Sequence, residues 1–429
     1  MKNRFIALVL IAMLALALFA GAGSAIAEET HKPVTLQVQM SESEWQEGFD
    51  KVKENFEAEY PWITIEDVGD GQTQLEFISS CIASGDIPPI IQVTSQQIYQ
   101  DIVNAGLMMN LADFECIKNT PEYYVNRYTL NGTVYGAAQG TAFSVVYVNM
   151  AALREAGWEQ APANWDEFIQ CCKDIADKTD YAPIAVDAKE PTLCHMLFEL
   201  VLGSTFDSAE DGAAYEAAVL NGTYDYTANA ELAEKLNTLI PYMMPGCSQT
   251  GMDDLPALMA DGTIAMAVEG NWRSTAILSA IAQRTGDSSD AVAFLAPFCD
   301  DAATKWIDAS PETGYGIVLQ DDEDLNEAAR LFLEWLYMPE HFAYMQAARG
   351  TVPVLTNMDE SLIVLEEGIK GIVSEVSKAN AILMSFNILD QVANDAMTVA
   401  LQDAYSGNMS VEDALDVMTR AIQANHLEG

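Results

Sequence analysis

Val34-Thr35-Leu36-Gln37-Val38-Gln39-Met40 alternates apolar and polar side chains, the period of two that a half-buried strand requires. Trp45, Phe49, Val52 and Phe56 then recur at helical spacing. Tyr60-Pro61-Trp62 ends that helix ahead of a second strand around Ile63 and Ile65, since the residue before a proline is pushed out of the α region. Together these make a β-α-β unit. Ile90-Ile91-Gln92-Val93 reads as a further apolar strand, followed by a helical stretch from Ser95 to Asn104 that stops at Gly106. Strands alternating with helices predict an α/β chain with a largely parallel sheet.

Further along, Asn164-Trp165-Asp166-Glu167 has the form of a capping box, with Phe168, Cys171, Cys172 and Ile175 as the apolar face of the helix it starts. Residues 210–260 are mostly helical in pattern. Ile264 to Val268, Ala291 to Leu295 and Tyr315 to Leu319 read as strands, and Leu325 to Tyr337 as a helix. Ser410 to Asp413 caps a final amphipathic helix with Val411, Ala414, Leu415, Met418 and Ile422 on its apolar side. There is no internal repeat, low-complexity tract or long linker. The 429-residue length predicts two domains, and two lobes without a linker imply more than one chain crossing between them.

The chain starts with the parts of an export signal: Lys2 and Arg4, an apolar run from Phe5 to Ala20, and Ala25-Ile26-Ala27 as a small-x-small cleavage site. The run is shorter than the ~20 residues of a spanning helix, so a cleaved signal is expected rather than an uncleaved anchor. Removal of residues 1–27 takes two basic and no acidic residue, moving the formal charge from −44 to −46. A field of that sign repels phosphate backbones and anionic lipids, which argues against nucleic-acid or membrane partners. Half of the residues are apolar, which excludes disorder. The seven cysteines, Cys81, Cys116, Cys171, Cys172, Cys194, Cys247 and Cys299, contain no Cys-x-x-Cys and no Cys/His pair at metal-ligand spacing, so no metal site and no redox motif is expected.

Catalytic signatures are missing. The chain has no Gly-x-Ser-x-Gly, no His-Glu-x-x-His, no glycine-rich phosphate loop and no dinucleotide fingerprint. No catalytic residue and no cofactor is assigned. With 64 carboxylates, any pair chosen as a glycosidase dyad would carry no information. What stands out is tryptophan near predicted element ends, at 45, 62, 158, 165, 272 and 306. Sugar rings present flat C–H faces edged by hydroxyls, and a site for them needs aromatic planes beside hydrogen-bonding groups. Trp165, opening a helix, and Trp335, inside one, are assigned to packing. Trp272 follows Gly270-Asn271 just after a strand, where ligands of parallel sheets bind, with Glu269 and Arg273 beside it.

Four ordered blocks resemble extracellular solute-binding protein family 1, the maltose-binding-protein-like receptors of sugar ABC transporters. The first is Asn131-Gly132-Thr133-Val134-Tyr135-Gly136 with Val146-Tyr147-Val148-Asn149, Ala156-Gly157 and Asn164-Trp165-Asp166-Glu167-Phe168. The second is Leu258 to Met266 with Gly270-Asn271-Trp272. The third is Thr313-Gly314-Tyr315-Gly316-Ile317 with Phe332-Leu333-Glu334-Trp335-Leu336 and Pro339-Glu340, and the fourth is Arg349-Gly350-Thr351-Val352-Pro353.

The resemblance implies a periplasmic-binding-protein-like fold of two α/β lobes, mixed sheets flanked by helices, and a ligand cleft between them that closes by a hinge. It implies lobe 1 over 28–140 and 297–338 and lobe 2 over 141–296 and 339–429, with crossings near Gln139 to Ser144, near Pro297 and near Tyr337 to Pro339. It further implies a monomeric receptor, with no catalysis, that delivers a sugar to ABC permease subunits. The cleft residues carried over are Trp45, Asp86, Gln92, Thr94, Gln139, Glu269, Trp272 and Tyr315, with Trp306 and Arg349 as further contributors. Tyr147, Asn149 and Trp165 match structural positions.

Two departures from the family pattern stand out. Pro88-Pro89 stands where the family commonly has Pro-Asp, so a carboxylate used on sugar hydroxyls is missing or supplied by Asp86. The first Cys is Cys81, so no cysteine at the cleavage site can carry a lipid. A cationic solute such as a polyamine is the alternative ligand, and a secreted hydrolase the alternative class.

Overall fold

The computed structural model describes residues 31–40, 46–69, 74–94, 97–190, 193–295, 298, 306–349, 351–376, 380–385 and 388–425. The export signal, Trp45 and the expected crossing at Pro297 lie outside them. In chain order the strands are β1 (Val34–Val38), β2 (Ile63–Asp67), β3 (Ile90–Val93), a small hairpin of β4 (Thr129–Leu130) and β5 (Thr133–Val134), β6 (Ala137–Ala138), β7 (Gly140–Asn149), β8 (Ala182–Val186), β9 (Ile264–Gly270), β10 (Ala291–Phe294), β11 (Trp306–Pro311), β12 (Gly314–Ile317), β13 (Val352–Pro353) and β14 (Asn380–Ile382).

Two larger sheets divide them. The first runs β2-β1-β3-β12-β6, parallel through β2, β1 and β3 and antiparallel at β12. The second runs β14-β11-β7-β9-β8, with β10 and β13 also on β7. Here β7 is antiparallel to β9, β10, β11 and β13, while β8 is parallel to β9 and β11 to β14. The sheets are thus mixed rather than largely parallel. All ten residues of β7 are buried, as a strand covered on both faces must be.

Each sheet carries its own core. Leu36, Val38, Phe49, Val52, Phe56, Phe332 and Trp335 pack together in lobe 1, where helices Gln46–Glu59 and Glu323–Leu336 cover one face. Val146, Phe168, Ile175, Phe198, Leu401 and Met418 belong to the largest core of lobe 2. Local signals set the helix starts. Asn164 Oδ1 accepts the Glu167 N–H at 3.0 Å, and Glu167 reaches back to the Ala163 N–H. Ser410 Oγ accepts the Asp413 N–H at 3.1 Å. Such caps contribute about 1 kcal/mol each.

The chain passes from the first sheet to the second at Gln139, between β6 and β7. The other two crossings differ from expectation. β11 pairs with β7 and β14, so residues 306–311 lie in lobe 2 and the return falls between Pro311 and Gly314 rather than near Pro297. Helix Pro339–Arg349 packs on Gln46–Glu59 and adds Phe342 and Met345 to the lobe 1 core. Val354, Leu355 and Met358 also pack in lobe 1, whereas Leu365 and Ile369 pack in lobe 2, so the third crossing falls after Met358 rather than at Tyr337 to Pro339. Burial decides both cases, since each segment stays with the sheet that covers its apolar face.

Cys81, Cys116, Cys171, Cys172, Cys194 and Cys247 are free thiols. Burial pushes Cys116 and Cys171 up to about 12 and Cys247 to about 11, so these are inert core groups. Among the described residues no helix is long and apolar enough to cross a membrane.

Candidate binding cleft

The carboxyl ends of β1 and β3 face the crossing strands. Gln39, just past β1, is fully buried and its Oε1 accepts the Gln92 N–H at 3.1 Å. Thr94, just past β3, is half-buried, and its carbonyl accepts the Tyr135 hydroxyl at 3.2 Å. Gln139 sits at the crossing itself, only 1% exposed, and neither polar atom of its amide has a hydrogen-bond partner among the described residues. A buried amide left unmade costs about 1–3 kcal/mol per group, which a bound ligand or water would recover.

On the lobe 2 side, β9 ends at Gly270 opposite Ser144, and a single turn of 3-10 helix, Asn271–Arg273, follows. Asn271 holds this turn to β7. Its Oδ1 accepts the Phe143 N–H at 2.9 Å and its Nδ2 donates to the Thr141 carbonyl at 3.0 Å. Tyr147 adds a hydroxyl bond to the Gly270 carbonyl at 2.8 Å, the structural role expected of it. The half-buried Trp272 indole lies over Gly270, where a Cβ would fall 2.2 Å from the ring. Only glycine leaves room for that plane.

Two carboxylates flank the turn. Glu269 is fully buried and its Oε1 accepts the Gly270 N–H at 2.8 Å. Asp187 follows β8, which runs beside β9 with Val186 opposite Val268. It is also fully buried. Its Oδ1 accepts the Glu190 N–H at 3.1 Å, whereas Oδ2 has no hydrogen-bond partner among the described residues. Burial raises its carboxyl to about 6. Across the crossing strands, Arg127 of lobe 1 pairs with Glu216 of lobe 2 at 3.1 Å, and Tyr123 donates to the Ala309 carbonyl at 3.2 Å.

The structure places Thr94, Gln139, Glu269 and Trp272 at the strand ends beside the crossing, whereas Gln92 is fully buried within β3 opposite Tyr315 and three further expected residues lie elsewhere. Asp86 is exposed on the turn leaving helix Gln74–Ser84, with its N–H on the Cys81 carbonyl. That turn feeds the amino end of β3, the edge opposite Thr94. Trp306 is 2% exposed in the lobe 2 core, its Nε1 donating to the Phe206 carbonyl at 3.1 Å. Tyr315 is fully buried in the lobe 1 core, its hydroxyl 3.8 Å from Met40 Sδ.

Trp45 is not among the described residues, and Arg349 is described only as the last residue of its helix. Asn271 and Asp187 are not among the cleft residues expected from the sequence. The Gly-Asn-Trp turn signals the first, while nothing local to Asp187 sets it apart from the other carboxylates. Among the described residues no group of three or more His, Cys, Asp or Glu could hold a metal ion.

A model of the bacterial extracellular solute-binding protein family matches residues 51–368. A lactose-binding protein from Rhizobium radiobacter is 24% identical over 231 residues, which are 51% of this chain and 51% of that protein. The match therefore spans about half the length of that relative. Among solved structures, a chitin oligosaccharide binding protein superposes with a TM-score of 0.77 at 20% identity, over 92% of this chain and 99% of that one. RafE in complex with raffinose does so with 0.75 at 17% identity, over 92% and 100%.

Proposed function

Because this chain belongs to the family of bacterial extracellular solute-binding proteins, we propose that it is the extracytoplasmic receptor of an ABC importer and binds a carbohydrate in the interlobe cleft. Trp272 carries this reading: a half-buried indole plane at the carboxyl end of β9, on a turn held to β7 by hydrogen bonds at both polar atoms of the Asn271 side chain. Such a plane suits the C–H face of a sugar ring. The Gln139 amide and the Asp187 carboxylate supply donors and acceptors for hydroxyls. The lactose-, chitin oligosaccharide- and raffinose-binding relatives support the same ligand class. Delivery to permease subunits, export by residues 1–27 and cleavage near Ala27 belong to the same reading.

A thermal-shift and calorimetry screen of mono- and oligosaccharides tests the ligand class. At a hundredfold excess over Kd a true ligand stabilises the fold by about 2.7 kcal/mol, and at least one sugar is expected to do so. Silence across the sugars with a salt-sensitive response to a polyamine would overturn the carbohydrate reading in favour of a cationic solute, for which Asp187 and Glu269 are the relevant carboxylates. With a sugar in hand, Gly270→Ala is expected to weaken it at least about tenfold by displacing the indole. The backbone at Gly270, φ −71° and ψ 153°, accepts alanine without strain, so an unchanged affinity would place the ring outside the ligand contact.

A further inference from the structure

Lobe 2 contains a polar cluster that the cleft does not use. Glu199, on helix His195–Gly203, and Asp308, on β11, are 1% and 0% exposed and hydrogen-bond each other. Ser144 of β7 donates to Asp308 twice, from its N–H to Oδ1 at 3.0 Å and from its hydroxyl to Oδ2 at 2.6 Å. Glu199 Oε1 accepts the Ser385 N–H at 2.6 Å. One acid pair thereby ties a helix, both crossing strands and the segment after β14.

Two ionised carboxylates in contact inside an apolar core would repel strongly and lose their hydration. A hydrogen bond between two carboxyl groups needs a hydrogen on one of them. Among the described residues no group around the pair supplies a free positive charge: Arg127 is paired with Glu216, whose Oε1 accepts the Leu383 N–H. Cys194, Tyr215, Tyr226 and Tyr405 are acids that burial keeps neutral. His195 has its ring nitrogens 2.8 Å from Ser385 Oγ and 3.0 Å from Thr398 Oγ1, and burial lowers it to about 3, so it too is neutral. Lys235, on the neighbouring helix Ala230–Leu239, directs its ammonium to Ser204, the Phe298 carbonyl and Glu231.

We propose that Glu199 and Asp308 hold one proton between them at neutral pH, and that this proton is the staple joining helix His195–Gly203 to β11, so that alkali loosens lobe 2. The inference is independent of the ligand. Burial and the neighbouring carboxylate raise Asp308 well above the usual carboxylate range, and burial raises Glu199. In the unfolded chain both ionise near pH 4. The folded state therefore holds a proton that the unfolded state has lost. The pair's stabilisation is fully present below about pH 4 and falls as pH rises through the folded range. Each retained proton changes the unfolding equilibrium by about tenfold per pH unit.

The test uses the ligand-free mature protein and two amide variants. In Asp308→Asn the new amide can still accept the Ser144 N–H and donate to Glu199. In Glu199→Gln the new amide can still accept the Ser385 N–H, and neither amide titrates. Proton release on unfolding is measured calorimetrically between pH 7 and 8, in buffers of different ionisation enthalpy, where Asp187 has already titrated. The parent is expected to release about one proton more than Asp308→Asn, with a urea midpoint that falls more steeply with pH. Equal proton release and equal pH slopes would overturn the proposal. Should Asp308→Asn fail to fold, Glu199→Gln removes the same shared proton. A parent chain that releases no proton on unfolding overturns the proposal without either variant.

Discussion

Trp272→Ala is expected to lower affinity for the sugar identified by the screen by about 2–3 kcal/mol, a factor of about 30 to 150, while costing the fold only about 1 kcal/mol. The asymmetry follows from how the ring is held. Its inner face lies on Gly270 and packs against the lobe 2 core, but the residue is only half-buried, so the outer part is free to cover a ligand. Burying an aromatic face against a sugar is worth about 1.5–3 kcal/mol, and favourable ring geometry adds up to ~1.5. A core tryptophan would instead cost about 3–5 kcal/mol in stability. Calorimetry for affinity and urea unfolding for stability separate the two. A variant that loses several kcal/mol of stability and keeps its affinity would make Trp272 a packing residue. Trp272→Phe should recover part of the binding, because a smaller plane in the same position still stacks.

The parts of this architecture that depend on short-range rules are legible in the sequence. Val34 to Met40 alternates because one face of β1 is buried, and Asn164 and Ser410 cap helices through contacts three residues away. β7 escapes because all of its residues are buried, which erases the period of two. β11, Trp-Ile-Asp-Ala-Ser-Pro, is absent from the strands expected from the sequence, because Asp308 is acceptable in a strand only when Ser144 and Glu199 are brought to it from distant parts of the chain. The site divides the same way. Trp272 is found from its own turn, Gly270-Asn271. Asp86 is misplaced because residue type does not reveal which end of β3 faces the crossing strands, and only the pairing of β3 with β12 and β12 with β6 settles that edge.

Trp306→Ala is expected to destabilise the protein by about 4 kcal/mol and to leave ligand affinity unchanged wherever the variant is folded. The indole fills a slot built for it. A Cβ on Gly212 would lie 2.8 Å from its Cζ3, and one on Gly203 3.1 Å from its Cβ. Phe206 meets it edge-on at 5.4 Å and 73°. Gly212 inside helix Ala209–Leu220 costs up to ~1 kcal/mol in helix propensity, a loss offset only while the ring occupies the space that this glycine and Gly203, the last residue of its helix, leave. With the ring removed, two rigid helices and β11 cannot close the void, and Trp→Ala costs of about 3–5 kcal/mol apply. The Phe206 carbonyl also loses its Nε1–H donor, which adds about 1 kcal/mol. Urea unfolding measures the first expectation, and calorimetry well below the transition measures the second. A stable variant whose affinity falls tenfold or more would return Trp306 to the cleft, and would require lobe 2 to open between β11 and helix Ala209–Leu220.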